Sequence, residues 1–476
     1  MTNLRQGFTS RRVAALLVLV LAAVAVAATS GSAHRSAVRH AMTPDTLRAP
    51  NIRQAISVVS NPTGLVRFGC QLSSPAGCYG PDQMRTAYGT QTLLNAGFDG
   101  TGKTIVIIDA YGSPTLSVDL NNFDTVWGIP APNFTQVAPF GIAPTDPANA
   151  DGWAGETSLD VEWAHAIAPG AKILLVIAKS NNDSDILDAT QYAIDNNVGD
   201  VVSQSFGEAE QCMSTSDLNR QHKLFRKAVS RGMTLFASSG DSGAAQPTCD
   251  GSDVFKSVST PASDPNVTGV GGTTLHADGT TGAYQSESTW NESDIFSDPS
   301  ATPPDYEAVA GGGGQSVLFH RPLYQFLATR DRAREVPDVS YNAAVFNGVI
   351  VAFHGNTCRQ TPTGPPTFPC FFRFGGTSAG SPQWAAIIAI VDQIARGRAG
   401  NINTALYLLA KLPGSSNPFH DIQDGSNNSV PNFEGATITG FTAVKGYDMA
   451  TGLGTPNIGA IAPLIAHLPP VTSPTD

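Results

Sequence analysis

Two acidic residues lie four positions apart in the stretch GETSLDVEWAHAIAPGA, residues 155–171: Glu156 and Asp160. In a helix, residues four apart share one face, so the two carboxyl groups would be neighbours. Neighbouring carboxylates repel each other, so the pair tends to share one proton and can act as a base. His165 is half a turn away and would point elsewhere. The alternative is a solvated helix face with two incidental acids, so other residues must support the catalytic interpretation.

A glycine-rich stretch, FGGTSAGSPQWAA at residues 374–386, offers one serine, Ser378, before a predicted helix. Glycines allow a tight turn and the close approach of a substrate. A serine at a helix start lies near oriented N–H groups, which can stabilise a developing oxyanion. The alternative is an ordinary N-cap serine. The small residues that continue to Pro382 favour a nucleophile.

The same stretch satisfies the G-x-S-x-G pattern of the α/β-hydrolase nucleophile elbow, so an esterase is a competing hypothesis. Such an enzyme needs a later acid and histidine, for which Asp448 and His467 are the candidates. Only 98 residues follow Ser378, which is short for the rest of that fold.

A further acid, Asp241, lies in ASSGDSGA at residues 237–244, just beyond a predicted strand. Functional residues in parallel sheets gather at this end of the strands. An ionised Asp241 would repel an oxyanion, whereas a protonated one could donate a hydrogen bond to it. The alternative is an aspartate that only shapes a turn.

Strands and helices alternate along the part of the chain that carries these residues. Apolar runs predict buried strands at residues 103–112, 171–178, 200–207 and 233–244. Helical spacing predicts helices at residues 79–89, 184–197 and 216–232, and a long helix after Ser378. The alternation predicts an α/β fold with a mostly parallel sheet and helices on both faces. Asp109 ends the first strand, and we expect it to be structural or a partner of the acids.

The composition argues against a nucleic-acid partner. Of 476 residues, 39 are acidic and 28 basic, giving a formal charge of -11. No basic stripe is visible. Charged residues make up 14% of the chain, against roughly 25% in an ordinary soluble protein. Fewer charges mean less self-repulsion when carboxylates titrate, which suits an acidic environment.

The N-terminus has the pattern of a secretory signal. Arg11 and Arg12 precede an apolar run at residues 13–28, and small residues permit cleavage after Ala33. A membrane anchor is the alternative, but the run is shorter than the ~20 residues of a spanning helix. We therefore expect a secreted, extracellular protein without a membrane segment after signal removal, since no second long apolar run follows.

Six cysteines suit an oxidising compartment and favour structural disulfides over a zinc site. They form three neighbouring pairs, although six cysteines allow 15 pairings. The pairs are Cys70 with Cys78, Cys212 with Cys249, and Cys358 with Cys370.

Taken in order, E-x-x-x-D, S-G-D-S-G and G-T-S-A-x-x-P resemble the motifs of the sedolisin family of serine-carboxyl peptidases. The resemblance extends from about Tyr79 to about Leu468 and includes VSQSFGEAEQ, VPDVSYNA and YDMATGLGTPN. It implies a subtilisin-like α/β fold with a single large catalytic domain at residues 78–468. It also implies endopeptidase activity in acid on protein or peptide substrates, through a Ser-Glu-Asp triad and an acyl-enzyme, in a monomer.

The resemblance also assigns roles to the four candidate residues. Ser378 is the nucleophile, Glu156 the general base and acid, Asp160 the residue that orients Glu156, and Asp241 the partner that completes the oxyanion hole. An Asp-His-Ser triad built on Asp109 is disfavoured, because no histidine stands where Glu156 does.

One calcium ion is a further implication of the resemblance. The segments 419–425 and 443–448 match those that hold the ion in the family. Carboxylates of Asp421 and Asp448 and the carbonyl oxygens of Ile422, Val444 and Gly446 would be the ligands, which suits a hard cation. The alternative is a pair of loop aspartates without an ion.

Two segments are candidates for binding the substrate backbone by strand addition. They are SQSFGE at residues 203–208, with Ser205 and Gly207, and GGGG at residues 311–314, with Gly312 and Gly313. The alternative is loop and sheet packing.

The leader departs from the family pattern. Residues 1–33 are the predicted signal, residues 34–77 an extended leader without a full pro-domain, and residues 469–476 a disordered tail. About 45 residues between the cleavage site and Cys78 are too few for the family's usual pro-domain. A catalytically inactive binding protein with the same fold is therefore a second hypothesis beside the peptidase.

Overall fold

The computed structural model describes residues 52–55, 68–298, 305–354, 370–428 and 438–475. Its centre is an eight-stranded sheet. In chain order the strands are β1 (Thr104–Ala110), β2 (Asn133–Val137), β3 (Lys172–Ala178), β4 (Val201–Gln204), β5 (Thr234–Ser238), β6 (Thr268–Ala277), β7 (Tyr284–Thr289) and β8 (Val339–Asn342).

The strands follow the spatial order β7-β6-β5-β4-β1-β3-β2, and β8 also pairs with β6. Every pairing is parallel except that between β6 and β7. The prediction of a mostly parallel sheet is confirmed. Because parallel strands end on the same side, the carboxyl ends of β1, β4 and β5 lie next to one another, where residues can converge on a ligand.

Helices cover both faces of this sheet. They are α1 (Pro81–Ala87), α2 (Thr90–Asn95), α3 (Leu116–Trp127), α4 (Pro147–Ile167), α5 (Asp183–Asp195), α6 (Thr215–Ser230), α7 (Gly380–Ala395), α8 (Asn403–Leu409) and α9 (Ile458–Ala466). Successive side chains of a strand point to opposite faces. Accordingly, Ile105 and Ile107 of β1 pack in the core with α4 and α7, whereas Val106 and Ile108 pack in the core with α5 and α6.

The remaining strands are short and lie outside the central sheet. They are Ile52–Ala55, Cys78–Tyr79, Glu208–Ala209, Ala245–Pro247, Val254–Lys256, Ser259–Thr260, Asn291–Asp298, Asp305–Ala310, Gly314–His320, Ala333–Val336, Gly348–Ala352, Phe371–Gly375, Phe419–His420 and Thr455–Pro456. The strand Ile52–Ala55, from the predicted leader, pairs antiparallel with Phe371–Gly375. The latter strand leads directly into the turn that carries Ser378.

Two predicted disulfides are confirmed, with Cα–Cα distances of 5.5 Å for Cys70–Cys78 and 5.2 Å for Cys212–Cys249. Cys370 is also disulfide-bonded. Its predicted partner, Cys358, lies outside the described residues, as do the predicted signal peptide with its cleavage site and residues 56–67 of the leader.

Residues of the predicted C-terminal tail make hydrogen bonds with the rest of the chain. The backbone N–H of Asn401 donates to the carbonyl of Val471, and the N–H of Thr475 donates to the side chain of Asn266. Within the described ranges, we find no helix long and apolar enough to span a bilayer. The described residues from Phe68 onward belong to one compact unit, in agreement with the prediction of a single large catalytic domain.

Candidate active site

The acid pair lies on α4, which packs against α7. Glu156 and Asp160 are fully buried. A solvated helix face, the alternative interpretation of this spacing, is therefore excluded. His165 is also buried, but its Nε2 lies 2.9 Å from the carbonyl oxygen of Pro130 and 3.3 Å from Asp124. As the spacing predicts, this imidazole points away from the acids.

Burial is the main influence on the acid–base chemistry of these residues. It raises the pKa of Glu156 well above its ordinary value, and the neighbouring charges of Asp160 and Asp109 raise it further. Burial and the charge of Asp109 likewise raise the pKa of Asp160. Burial and mutual repulsion thus oppose the simultaneous ionisation of these three buried carboxyl groups.

Asp109 is the third member of this cluster. It is the penultimate residue of β1 and is fully buried, and burial raises its pKa, with a smaller opposing effect from the nearby Thr157. Its electrostatic effect on both Glu156 and Asp160 supports its interpretation as a partner of the acids.

Ser378 lies in a short 3-10 turn, Thr377–Ala379, between the strand Phe371–Gly375 and α7. Its hydroxyl faces Glu156 closely enough to lower the pKa of that carboxyl group. The contact is looser than a well-formed hydrogen bond, since neither Glu156 oxygen has a well-aligned partner among the described residues. The Ser378 hydroxyl also lies 3.5 Å from the carbonyl of Ser205. Loose geometry of this kind is common before a substrate binds.

The residues that an esterase would require lie elsewhere. His467 is exposed and its Nδ1 lies 2.5 Å from the carbonyl oxygen of Pro463 in the preceding turn. The carboxylate of Asp448 accepts hydrogen bonds from the N–H groups of Val444 and Ala450. The structure thus gives no support to a Ser378–His467–Asp448 triad.

Asp241 follows β5 and contacts the turn of the serine. Its Oδ1 accepts hydrogen bonds from both the N–H and the hydroxyl of Thr377, each at 2.8 Å. Gly376 has a φ of 102°, and a Cβ at that position would lie 2.6 Å from Asp241 Oδ2. Only glycine fits this close approach at a positive φ.

Of the predicted substrate-binding residues, Ser205 instead supports the acids. It follows β4, and its hydroxyl donates to Asp160 Oδ1 at 2.8 Å. This hydrogen bond lowers the pKa of Asp160 and opposes the effect of burial. Neither Ser205 in this role nor Thr377 was found from the sequence, because each contact joins residues that are distant along the chain.

The three glycines predicted to bind substrate, Gly207, Gly312 and Gly313, lie where another part of the chain comes close to their backbone. The N–H of Gly312 donates to the carbonyl of Gly240 at 2.7 Å, and that of Gly313 points to the carbonyl of Gly243 at 3.4 Å. A Cβ at Gly207 would lie 2.0 Å from the Ser259 hydroxyl. The N–H groups of Gly312 and Gly313 are therefore used within the protein, as in the packing alternative.

The predicted calcium ligands lie in two segments, 419–425 and 443–448, which a hydrogen bond between Gly446 and Asp421 joins. Asp421 accepts a hydrogen bond from the N–H of Gly446, and Asp448 accepts one from the N–H of Val444, both at 2.9 Å. The carbonyl oxygens of Ile422, Val444 and Gly446 accept no hydrogen bond from any residue in the described part of the chain. Two carboxylates beside unused carbonyls fit a calcium ion. In those same ranges, no cluster of three or more His, Cys, Asp or Glu suits a metal.

Comparison with known families agrees with this arrangement. A family model described as the subtilase family matches residues 147–408, which is more than half of the chain and includes Glu156, Asp160, Asp241 and Ser378.

Individual proteins are similar over most of the chain. Kumamolisin of Bacillus sp. (strain MN-32) is 32% identical over 76% of the chain and 59% of its own length. Xanthomonalisin of Xanthomonas sp. (strain T-22) is 30% identical over 83% of the chain and 47% of its own length. The chain thus spans about half to three-fifths of the length of these relatives.

Among solved structures, Pseudomonas sedolisin, a serine-carboxyl proteinase complexed with two molecules of pseudo-iodotyrostatin, superposes with a TM-score of 0.64. It is 25% identical, and the match covers 81% of the chain and 97% of that structure.

Proposed function

The chain belongs to the sedolisin family, and from that premise we propose that it is a serine-carboxyl endopeptidase that cleaves protein or peptide substrates in acid. The single observation that supports the proposal is that the Ser378 hydroxyl faces a buried carboxyl group, Glu156, where a serine protease usually has a histidine.

The first step is acyl transfer. Ser378 Oγ attacks the carbonyl carbon of the scissile bond and gives its proton to Glu156. The carbon–nitrogen bond then breaks, and Glu156 returns that proton to the leaving amine. Asp160 holds Glu156 in place and shares its charge, and Asp241, when protonated, donates a hydrogen bond to the oxyanion. Water, deprotonated by Glu156, then hydrolyses the acyl-enzyme.

Acid conditions follow from the protonation states that these roles require. The raised pKa values of Glu156 and Asp160 leave one proton on the pair in mild acid, so that one member can serve as base. Asp241 must keep its proton to act as a donor, which excludes alkaline conditions.

The test compares wild type with Ser378→Ala and Glu156→Gln on casein across pH. We expect wild-type cleavage near about pH 3–5 and a loss of at least about 1,000-fold in kcat for either variant. A matched control is Glu162→Gln, since Glu162 is a buried acid on the same helix whose Oε2 accepts from the N–H of Ala352. Cleavage that survives Ser378→Ala would reject the nucleophile.

An inactive binding protein is the second candidate, and the complete burial of Ser378 favours it. A peptide aldehyde distinguishes the two, because it forms a tetrahedral adduct only with a reactive serine. Adduct formation in acid by wild type, but not by Ser378→Ala, supports the peptidase. Binding without an adduct supports the alternative.

We also propose that one calcium ion is held by Asp421, Asp448 and the carbonyl oxygens of Ile422, Val444 and Gly446. When bound, it would supply a fixed positive charge that joins these two loop segments. A chelator is then expected to lower the Tm of wild type but not that of Asp421→Ala. Asp424→Ala, in the same segment but outside the ligand set, should keep the chelator effect. An equal Tm with and without chelator would contradict the site.

Disulfides suit an oxidising compartment. We therefore propose that the protein acts outside the cell, as a monomer.

A further inference from the structure

Thr377, the residue immediately before Ser378, contacts a single oxygen of Asp241. Its N–H and its hydroxyl both lie 2.8 Å from Asp241 Oδ1. The hydroxyl also accepts from the N–H of Gly240 at 3.1 Å. Thr377 is fully buried, so water does not compete for these hydrogen bonds.

A neutral carboxylic acid has one O–H donor and one carbonyl-type oxygen that only accepts. The Thr377 N–H can only donate, so the oxygen that it meets must accept. The Thr377 hydroxyl oxygen accepts a hydrogen bond from the N–H of Gly240. The hydroxyl can therefore donate its own proton to Asp241 Oδ1 or to the carbonyl of Gly240 at 3.2 Å. Oδ1 is therefore the acceptor oxygen, and the proton of a neutral Asp241 belongs on Oδ2.

Oδ2 is also the oxygen nearer to the backbone that leads to the serine. An ideal Cβ at Gly376 would lie 2.6 Å from Oδ2 and 3.7 Å from Oδ1. The absence of a side chain at Gly376 leaves room for this oxygen against the turn.

We propose that Thr377 is a positioning residue that keeps the acid proton of Asp241 on Oδ2, from which it is donated to the oxyanion formed by attack of Ser378. The inference rests on the proposed function, since it assumes that Asp241 serves the oxyanion. Without the Thr377 hydroxyl, only the N–H of Thr377 still marks Oδ1 as the acceptor. The preference for a proton on Oδ2 then weakens, and a fraction of the molecules has no donor that faces the oxyanion.

The first test compares Thr377→Val, which removes the hydroxyl at nearly constant shape, with Thr377→Ser, which keeps it. We expect Thr377→Val to lower kcat by roughly 10- to 100-fold with little change in KM, since the lost interaction forms in the transition state. Thr377→Ser should recover most of this loss. Affinity for a peptide aldehyde, whose adduct carries the oxyanion, should fall with kcat.

The second test uses Asp241→Asn. Its amide oxygen can accept from Thr377 in the place of Oδ1, which puts the NH₂ group in the place of Oδ2 as a donor at every pH. We expect this variant to keep measurable activity and to lose it at a higher pH than wild type. A dead but folded Asp241→Asn would argue that the donor is not at Oδ2.

The outcomes separate this inference from the proposed function. If wild type cleaves through Ser378 and Thr377→Val has the same kcat, the inference fails and the proposed function stands.

If Thr377→Val changes KM and Tm but Thr377→Ser restores neither, the role of Thr377 is only structural and the inference also fails. Should Thr377→Val not fold, Thr377→Ala serves as the test variant. If Ser378→Ala cleaves like wild type, the proposed function fails and the inference falls with it.

Discussion

Ser205 joins the serine turn to the acid cluster through single atoms. Its hydroxyl donates to Asp160 Oδ1 at 2.8 Å and lies 3.4 Å from the carbonyl of Ser378. Its own carbonyl lies 3.5 Å from the Ser378 hydroxyl. A residue that follows a parallel strand can hold such contacts because the strand fixes its backbone. Ser205 thus links the turn of Ser378 to the carboxyl group of Asp160.

Replacing Ser205 with alanine should change the pH dependence of catalysis. The hydrogen bond from Ser205 lowers the pKa of Asp160, so its loss raises that pKa and makes the acid pair ionise at a higher pH. We expect the acidic limb of the kcat profile to move to higher pH and kcat to fall by about 10-fold. Steady-state kinetics across pH measure both effects.

Ser203→Ala is the matched control. Ser203 is a buried serine of the same strand region, but its hydroxyl lies 2.8 Å from that of Ser381 and not from an acid. The acidic limb should not move in this variant. A shift as large as that of Ser205→Ala would show that the effect comes from loss of packing.

Residue types and local spacing predicted which side chains to examine. Glu156 and Asp160 share a face because of helix geometry, and the structure brings Glu156 near Ser378 and Asp241. Their catalytic roles stay predictions. The contacts of Ser205 and Thr377 were not predictable, since they join segments separated by 45 and 136 residues. No local pattern encodes such a contact.

Among the elements, those with strong periodicity were predicted well. The apolar runs became β1, β3, β4 and β5, and the helical patterns became α1, α5, α6 and α7. The other four strands of the sheet, β2, β6, β7 and β8, escaped prediction, and β2 and β6 did so for different reasons. β2 is largely exposed and has few apolar residues, and β6, TGVGGTTLHA, is buried but rich in glycine and threonine. Burial of β6 depends on its neighbours, which its own sequence does not reveal.

The two disulfides should differ in how much they stabilise the fold. They close loops with separations of 37 residues for Cys212–Cys249 and 8 residues for Cys70–Cys78. Loop-closure entropy predicts about 4 and about 2.5 kcal/mol, respectively. Urea unfolding of the two Cys→Ala double variants measures the difference. Equal losses, or a larger loss for Cys70–Cys78, would contradict the entropic argument.

Helix α7 carries a buried acid near its C-terminal end, Asp392, whose pKa burial raises to about 8. Its Oδ1 accepts from the N–H of Ala399 at 2.8 Å. An asparagine can keep that hydrogen bond but cannot ionise. Because the folded pKa is raised, the stabilisation from Asp392 is complete below about pH 4 and is lost as the pH rises toward about 8.

Asp392→Asn should therefore equal wild type near pH 4 and exceed it at pH 8 by roughly 1–3 kcal/mol in free energy of unfolding. Urea unfolding at the two pH values measures this. Asp195→Asn is a control in which the change in stability at pH 8 should have the opposite sign, since Lys227 lowers the pKa of Asp195. That exposed variant should lose a little stability at pH 8. A pH-independent effect of Asp392→Asn would contradict the pKa shift.

At the scale of the whole molecule, buried carboxyl groups are a general feature. Burial raises the pKa of Glu162 and Glu210, as it raises the pKa of Glu156 and Asp160. Burial also raises the pKa of Glu335 to about 7. The sequence indicated a molecule of low charge but could not show this feature, because burial of an acid is decided by the complete fold.

Stability of the whole protein should accordingly be greatest in acid and fall as the pH rises from about 4 to about 8. In that interval the folded state binds more protons than the unfolded state, whose carboxyl groups titrate near about pH 4. The slope of the unfolding free energy against pH is then negative. The growing negative charge, -11 at pH 7, acts in the same direction through self-repulsion. Urea unfolding at constant ionic strength measures the curve.

A double variant, Glu156→Gln with Asp160→Asn, separates the contribution of these two acids to the pH dependence of stability from that of the other buried carboxyl groups. Both replacements are neutral at every pH, so the variant should have a shallower slope than wild type and gain stability mainly above pH 5. If wild type is instead most stable near neutral pH, these carboxyl groups are ionised and solvated in the folded state. That result would contradict the burial of these carboxyl groups, on which the proposed proton sharing between Glu156 and Asp160 depends. The stability curve therefore tests the chemistry of the acid cluster without a substrate.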